Sequence, residues 1–274
     1  MSGRGWREAP GEGAPVLSYR PRLPFRTVCA FARRADDAYM NNEVVLITGA
    51  SKGLGLAVAR LLARRGHPLV INARGEELRD AEQELAKLTD VLAVRADVSE
   101  EAEEIAGRAL SRFGRVDVLI NNASELGPSP MPSLEEHPWQ SLLRIYRVNV
   151  VAPLHLIQLL LPQMKDRRGG LIINITSDAG LNAYKTWGGY GSSKAALEHA
   201  SRVLAAELEG SGVRVLVVDP GDMNTEMHRL AEPGVDLSGL PGPEVPAPVF
   251  SWLVEHETAP FARVQAQALA ATAS

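Results

Sequence analysis

The sequence predicts an α/β protein: a doubly wound parallel β-sheet with helices on both faces. Three observations carry that expectation. From residue 43 onward, short unbroken Val/Ile/Leu runs alternate with longer amphipathic stretches, the pattern of βαβ units whose strands are covered on both sides. A glycine-rich turn joins the first apolar run to the first amphipathic stretch. The chain has 274 residues, 45% hydrophobic and 23% charged, which suffices to bury one sizeable core.

Taken in order, strands are expected at 44–48, 69–73, 91–95, 116–121, 171–177 and 213–219, each a continuous apolar run. A final edge strand is expected at 262–267, after a turn at 256–258. Helices are expected at 54–65, 76–88, 100–113, 134–164 (with a break) and 188–210. Asp97-Val98-Ser99-Glu100 offers an N-cap before an acidic first turn, and Gly66 and Gly210 stand where helices should stop. No repeat of 20–50 residues is present. Residues 41–274 therefore read as a single Rossmann-type domain.

Residues 1–40 differ. They hold seven Arg, no Lys and four acids, a net +3 that leaves −7 for the rest of a chain whose total is −4. Arg-rich, acid-poor stretches can be targeting presequences. The four acids, the scarcity of Ser and Met40 just before the first strand favour a flexible extension, or sequence upstream of the true start. A cytoplasmic location is the expectation, with organellar targeting as the alternative.

Several function classes are set aside by composition. No basic block offers a nucleic-acid footprint. The single cysteine, Cys29, cannot form an internal disulfide. No uncharged apolar run approaches the ~20 residues of a bilayer span. The six histidines lack metal-ligand spacing, so no metal is expected, and no Gly-x-Ser-x-Gly elbow is present.

The first strand runs into Thr48-Gly49-Ala50-Ser51-Lys52-Gly53-Leu54-Gly55. Such a turn lets backbone approach a pyrophosphate while the next helix presents free N–H groups. The alternative is a tight turn that binds nothing. At the end of the second strand, Ile71-Asn72-Ala73-Arg74 places no acid where a ribose hydroxyl would need one. Arg74 can fork a phosphate and Lys52 can add a second charge, which favours NADP(H) over NAD(H). Glu76 and Glu77 could instead neutralise Arg74 at the start of a solvated helix.

Tyr190 and Lys194 lie four apart in Tyr190-Gly191-Ser192-Ser193-Lys194, on one helix face. A phenol with a pKa of ~10 is a poor acid or base at neutrality, and a neighbouring ammonium lowers it. Bringing it to ~7 takes ~4 kcal/mol. Ser177 ends the fifth strand in Asn174-Ile175-Thr176-Ser177-Asp178, facing the crevice where open α/β sheets bind ligands.

Together these residues resemble the short-chain dehydrogenase/reductase (SDR) family in its classical form, from Glu43 to the C-terminus. Thr48–Gly55 is similar to the family's cofactor turn. Asp97, with Val98 beside it, matches the acid at the adenine ring. Asn121-Asn122-Ala123 matches the family's Asn-Asn-Ala-Gly, except that Ser124 replaces the glycine. Asn149, Ser177, Tyr190 and Lys194 match the catalytic tetrad, and Pro220-Gly221 with Thr225 matches the segment at the nicotinamide.

The resemblance implies roles. Tyr190 is the general acid or base, and Ser177 hydrogen-bonds the substrate oxygen. Lys194 lowers the Tyr190 pKa and holds the nicotinamide ribose. Asn149 fixes a water that links Lys194 to solvent. The activity implied is NADP(H)-dependent interconversion of a carbonyl and an alcohol on a small molecule. The alternatives are a non-catalytic NADP(H)-binding regulatory or scaffold protein and, on the same fold, isomerase or dehydratase chemistry.

Leu126, Met131, Tyr184, Trp187, Met223 and Met227 are candidate substrate walls by their place in loops. Asp178 is expected to cap backbone N–H groups rather than meet substrate. Residues 221–246, rich in Gly, Pro and Met, are expected to form a mobile lid. The stretch 150–161 is apolar around nearly its whole circumference, which suggests burial against a second subunit in a homodimer or homotetramer, the alternative being a wholly intramolecular core helix.

Overall fold

The computed structural model describes residues 43–271, so the expectations for the N-terminal extension lie outside the described residues. Seven strands form one sheet: β1 (Val45–Thr48), β2 (Leu69–Ala73), β3 (Val91–Arg95), β4 (Val118–Asn121), β5 (Gly170–Ile175), β6 (Val213–Asp219) and β7 (Phe261–Gln265). Their order is β3-β2-β1-β4-β5-β6-β7. Every neighbouring pair is parallel, in registers such as Ile47 opposite Ile71 and Ile120.

The helices are α1 (Gly53–Arg64), α2 (Leu78–Leu85), α3 (Ala102–Phe113), α4 (Trp139–Tyr146), α5 (Ala152–Asp166), α6 (Gly188–Glu207), α7 (Glu226–Ala231), α8 (Ala247–His256) and α9 (Ala266–Ala271). Strand side chains alternate between the two faces. Val45, Ile47, Leu69, Ile71 and Val118 pack with α1, α2, α8 and α9. Leu46, Val70, Leu119 and Ile172 pack with α3, α5 and α6. This two-sided burial is why the strands read as continuous apolar runs rather than as alternating ones.

Expected and observed boundaries differ by one or two residues for most elements, where hydrogen bonding frays. The larger differences have causes. Helix 134–164 begins only at Trp139, behind Pro138, and does not break. It widens into a π-helical turn, Arg147–Val151, and continues as α5. The fifth strand stops at Ile175, because Thr176 and Ser177 turn out toward a short 3₁₀ segment, Asp178–Gly180. The last strand ends at Gln265, and α9 takes the following residues. Helix α8, in the Pro-rich tail, was not expected at all.

The apolar circumference of 150–161 is largely internal. Ala152, Leu156, Ile157 and Leu160 are buried on the sheet, and Leu154, Leu159 and Leu161 are partly buried in the same layer. The continuous helix Trp139–Asp166 is 28 residues long and apolar enough to cross a membrane by length and composition; in this fold its inner side is the core layer.

Crossovers from β1 run one way to β2 and β3, and later ones run the other way from β4 to β7. The loops leaving β1 and β4 therefore diverge. They open a crevice at the carboxyl ends of the strands, where such sheets bind ligands.

Candidate active site

The crevice is a cleft of about 810 Å³, a size suited to an extended organic molecule. The turn after β1 forms one wall. Gly49 has φ +66°, and a Cβ there would lie 2.9 Å from Ala123 Cα; only glycine gives both the left-handed backbone and the close approach. Gly55 packs beneath, where a Cβ would meet Gly49 O at 2.4 Å. Asn122 stitches the turn to β4: its amide donates to Thr48 O at 2.9 Å and Gly49 O at 3.0 Å. In return, the Thr48 hydroxyl accepts from the N–H groups of Asn122 and Ala123.

Gly49, Ser51, Lys52, Gly53 and Leu54 line the cleft, whereas Gly55 supports the turn from behind. Arg74, Asp97, Val98, Asn122, Ala123, Pro220, Gly221 and Thr225 line it too. A Cβ at Gly53 would find only Thr225 Cγ2, at 4.0 Å. The cradle is thus kept open where backbone N–H groups begin α1, as a pyrophosphate requires. The residues present fit a dinucleotide.

At the far end, charges are already paired among themselves. Burial raises the Asp97 carboxyl, but hydrogen bonds from Arg144 (2.6 Å) and Ser99 outweigh it and hold it at about 2. Arg74 lies 3.7 Å from both Asp97 and Glu125. Glu76 pairs with Arg95 instead. Lys52 crosses the cleft to Glu226, the first residue of α7, at 2.6 Å. Both cations line the cleft, Lys52 facing one carboxylate and Arg74 two, which a phosphate would have to displace.

At the catalytic end, α6 carries Tyr190 and Lys194. Glycines bring the Ser177–Gly180 turn against the helix: a Cβ at Gly191 would sit 2.5 Å from Ala179 O, and one at Gly180 would sit 3.1 Å from Ala195 N. Ser177, Tyr190 and Lys194 consequently share the cleft. Lys194 is buried, with Nζ donating to Ile175 O at 3.0 Å and lying 5.4 Å from the Tyr190 ring centroid. Burial lowers it to about 7.

The Tyr190 phenol moves opposite to the expected direction. Burial pushes it above its ordinary value, with the nearby Ser124 hydroxyl opposing the rise and Asp219 and Asp178 adding to it. Burial weakens the hold of Lys194 on its own proton, and its charge does not reverse this rise.

Asn149 lies behind the cleft, in the π-helical turn. Its amide donates to Glu125 O and Ser193 Oγ, both at 2.9 Å, and its Oδ1 accepts from Glu125 N and Ser124 Oγ. The carboxamide is filled by protein groups, so it has no hydrogen left for a water.

Ser177 Oγ donates to Asp178 Oδ1 at 3.0 Å and accepts from Ala179 N. The backbone cap is thus Ser177, and the expectation of a capping Asp178 is corrected. Asp178 accepts from side chains, Ser177 and the Tyr184 hydroxyl (2.6 Å). Leu126, Trp187, Met223 and Met227 line the cleft. Met131 is buried behind it with Leu126 and Ala231, and Tyr184 is exposed, edge-on to Trp187. Segment 221–246 contains α7, lines the cleft with residues such as Asp222 and Met227, and reaches the glycine turn through the Lys52–Glu226 pair.

Four residues at the site had no role in the sequence reading: Arg144, Glu125, Glu226 and Asp219. Each acts through a partner in a different segment of the chain, so no local pattern points to it. Ser124 was visible as a motif departure.

Comparison with known proteins follows the same lines. The short chain dehydrogenase family profile matches residues 43–235. An uncharacterized oxidoreductase of Thermotoga maritima is 37% identical over 186 residues, 67% of this chain and 73% of that protein. The 7alpha-hydroxysteroid dehydrogenase of Escherichia coli is 33% identical over 196 residues, 70% and 75%. Among solved structures, an alcohol dehydrogenase of Thermococcus sibiricus complexed with 5-hydroxy-NADP superposes with TM-score 0.73 at 29% identity, covering 82% of this chain and 96% of that one. A 7 alpha-hydroxysteroid dehydrogenase complexed with NADH and 7-oxo glycochenodeoxycholic acid gives 0.73 at 28% identity, covering 85% and 96%.

Proposed function

The chain belongs to the short chain dehydrogenase family, and from that premise we propose that it is an NADP(H)-dependent oxidoreductase interconverting a carbonyl and an alcohol on a small molecule. The observation that carries the reading is the convergence of Ser177, Tyr190 and Lys194 on one cleft with the glycine cradle.

The Gly49–Gly55 turn, fixed in place by Asn122, would hold the diphosphate, Asp97 and Val98 the adenine, and Lys194 with Pro220, Gly221 and Thr225 the nicotinamide end. Arg74 and Lys52 favour a 2′-phosphate, because that dianion can replace the carboxylates they now contact. When bound, the cofactor supplies or accepts the hydride. The chain's own residues handle the proton. In the reductive direction, Tyr190 donates its phenolic proton to the substrate oxygen, and a phenol held protonated by burial is in the right state to do so. Ser177 turns its hydroxyl from Asp178 to that oxygen as charge builds. Lys194, near neutrality, restores the proton. Asn149 anchors this assembly, fixing the 124–125 loop and Ser193 together.

The test is NADPH and NADH oxidation against a panel of ketones, aldehydes and quinones, with Tyr190→Phe as the control. Turnover is expected with NADPH preferred, and loss of the phenol is expected to remove it at least 100-fold while leaving cofactor affinity largely intact. Undiminished kcat in Tyr190→Phe would overturn the mechanism, and cofactor binding without turnover on any carbonyl would favour the regulatory reading.

A further inference from the structure

Asp219, the last residue of β6, is buried and lines the cleft. Its Oδ1 accepts from Gly221 N at 3.1 Å, and its Oδ2 accepts from Arg263 Nη2 at 3.4 Å. Arg263 stands on β7 opposite Val217, two residues short of Asp219, and its side chain reaches forward to the carboxylate. The same guanidinium also reaches α6, where Nε donates to Glu198 Oε2 at 3.0 Å. Glu198 follows Lys194 by about one helical turn. We propose that Arg263 is a positioning residue for the nicotinamide end of the cleft, a brace that fixes the Pro220–Gly221 turn against the helix carrying Tyr190 and Lys194. This rests on the reading of that turn as the nicotinamide site.

Gly221 has φ +78°, and a glycine leaves a turn free to take several shapes. A carboxylate on its N–H selects one of them, provided that the carboxylate is itself held. Arg263 does this by taking the second oxygen of Asp219, which leaves the first aimed at Gly221 N. The charge balance makes the link strict. The Asp219 and Glu198 side chains are 3% and 4% exposed, and a buried carboxylate is costly without a cation. Glu198 has a second cation in Arg202, whose Nη2 donates to Oε1 at 2.5 Å. The ion pair of Asp219 is with Arg263. Gln267 of α9 supports the same turn: its amide donates to Asp222 O at 2.5 Å, and a Cβ on Gly221 would lie 2.6 Å from its Cδ. Both Arg263 and Gln267 lie beyond residues 43–235, the part that the family profile matches, so the brace comes from outside the shared sequence pattern.

The test needs no substrate. Two probes are titrated into the full-length protein by calorimetry: NADPH, and adenosine 2′,5′-bisphosphate, which has the adenine end and the 2′-phosphate but no nicotinamide. Arg263→Gln is expected to weaken NADPH about tenfold, the worth of one hydrogen bond to a charged group, and to leave the bisphosphate within about two-fold, as for a distant site. Asp219→Asn keeps an oxygen for Gly221 N but gives up the ion pair. It is expected to show the same split, and it carries the test if Arg263→Gln does not fold. Arg202→Gln, which removes the cation at the other Glu198 oxygen, is expected to move neither probe. Equal weakening of both probes, unchanged NADPH affinity, or the same loss in Arg202→Gln overturns the brace while leaving the cofactor reading in place. A wild-type protein that binds neither probe overturns that reading and the brace with it.

Discussion

Lys194 is buried with a backbone carbonyl for company and no acid beside it. Its folded value of about 7 lies below the ordinary 10.5. Between those values the unfolded chain binds a proton that the folded chain does not, so stability rises with pH across that window. The cost of burying this amine is full below about pH 7 and fades by pH 10.5. Lys194→Met, close in length and uncharged, is therefore expected to raise the Tm of the cofactor-free protein at pH 7, with a margin that shrinks as the pH approaches 10.5, measured by calorimetry. A lower Tm than wild type at pH 7, or a margin independent of pH, would contradict this account. The Tyr190 and Lys194 pair was legible from its spacing of four residues. The direction of the phenol shift was not, because Asp219 and Asp178 come from other segments and burial is not written in a local pattern.

Among elements, α7 and the glycine turn meet across the cleft mouth. Lys52 and Glu226 are both more than half exposed, so their attraction is weak, about 0–1 kcal/mol. Glu226→Gln would free Lys52 for a 2′-phosphate. It is expected to tighten NADPH binding by up to a few-fold at low salt, to leave NADH nearly unchanged, and to lose the effect at high salt, by fluorescence titration. An equal effect on both cofactors would assign Glu226 to lid geometry instead. The strands were legible because burial on both faces makes each an unbroken apolar run, as in Leu69–Ala73. The π-helical turn at Arg147–Val151 was not, since no residue in it breaks a helix and its cause is the fit of Asn149 between Glu125 and Ser193. Helix α8 was hidden by prolines that sit at its start rather than inside it.

For the whole molecule, the sheet order makes the cleft and leaves one apolar side unaccounted for. Trp139, Leu143 and Val151 are 64%, 61% and 57% exposed along the outside of α4 and the π-helical turn. The apolar stretch 150–161 suggested a covered helix for the wrong reason: most of it is covered by its own sheet. The proposal of a homodimer or homotetramer rests instead on this outer stripe. Sedimentation at micromolar concentration is expected to give more than a monomer, with Leu143→Glu shifting the protein toward monomer. A monomeric wild type would remove the proposal.

The most direct test of the central claim, that one cleft joins a dinucleotide to the Tyr190 phenol, is a crystal structure of the protein with NADP(H). The account predicts the diphosphate on the Gly49–Gly55 turn, the 2′-phosphate on Arg74 and Lys52, and nicotinamide C4 close enough to Tyr190 Oη for one substrate carbonyl to touch both. A dinucleotide bound elsewhere, or one whose C4 faces away from Tyr190, would contradict it.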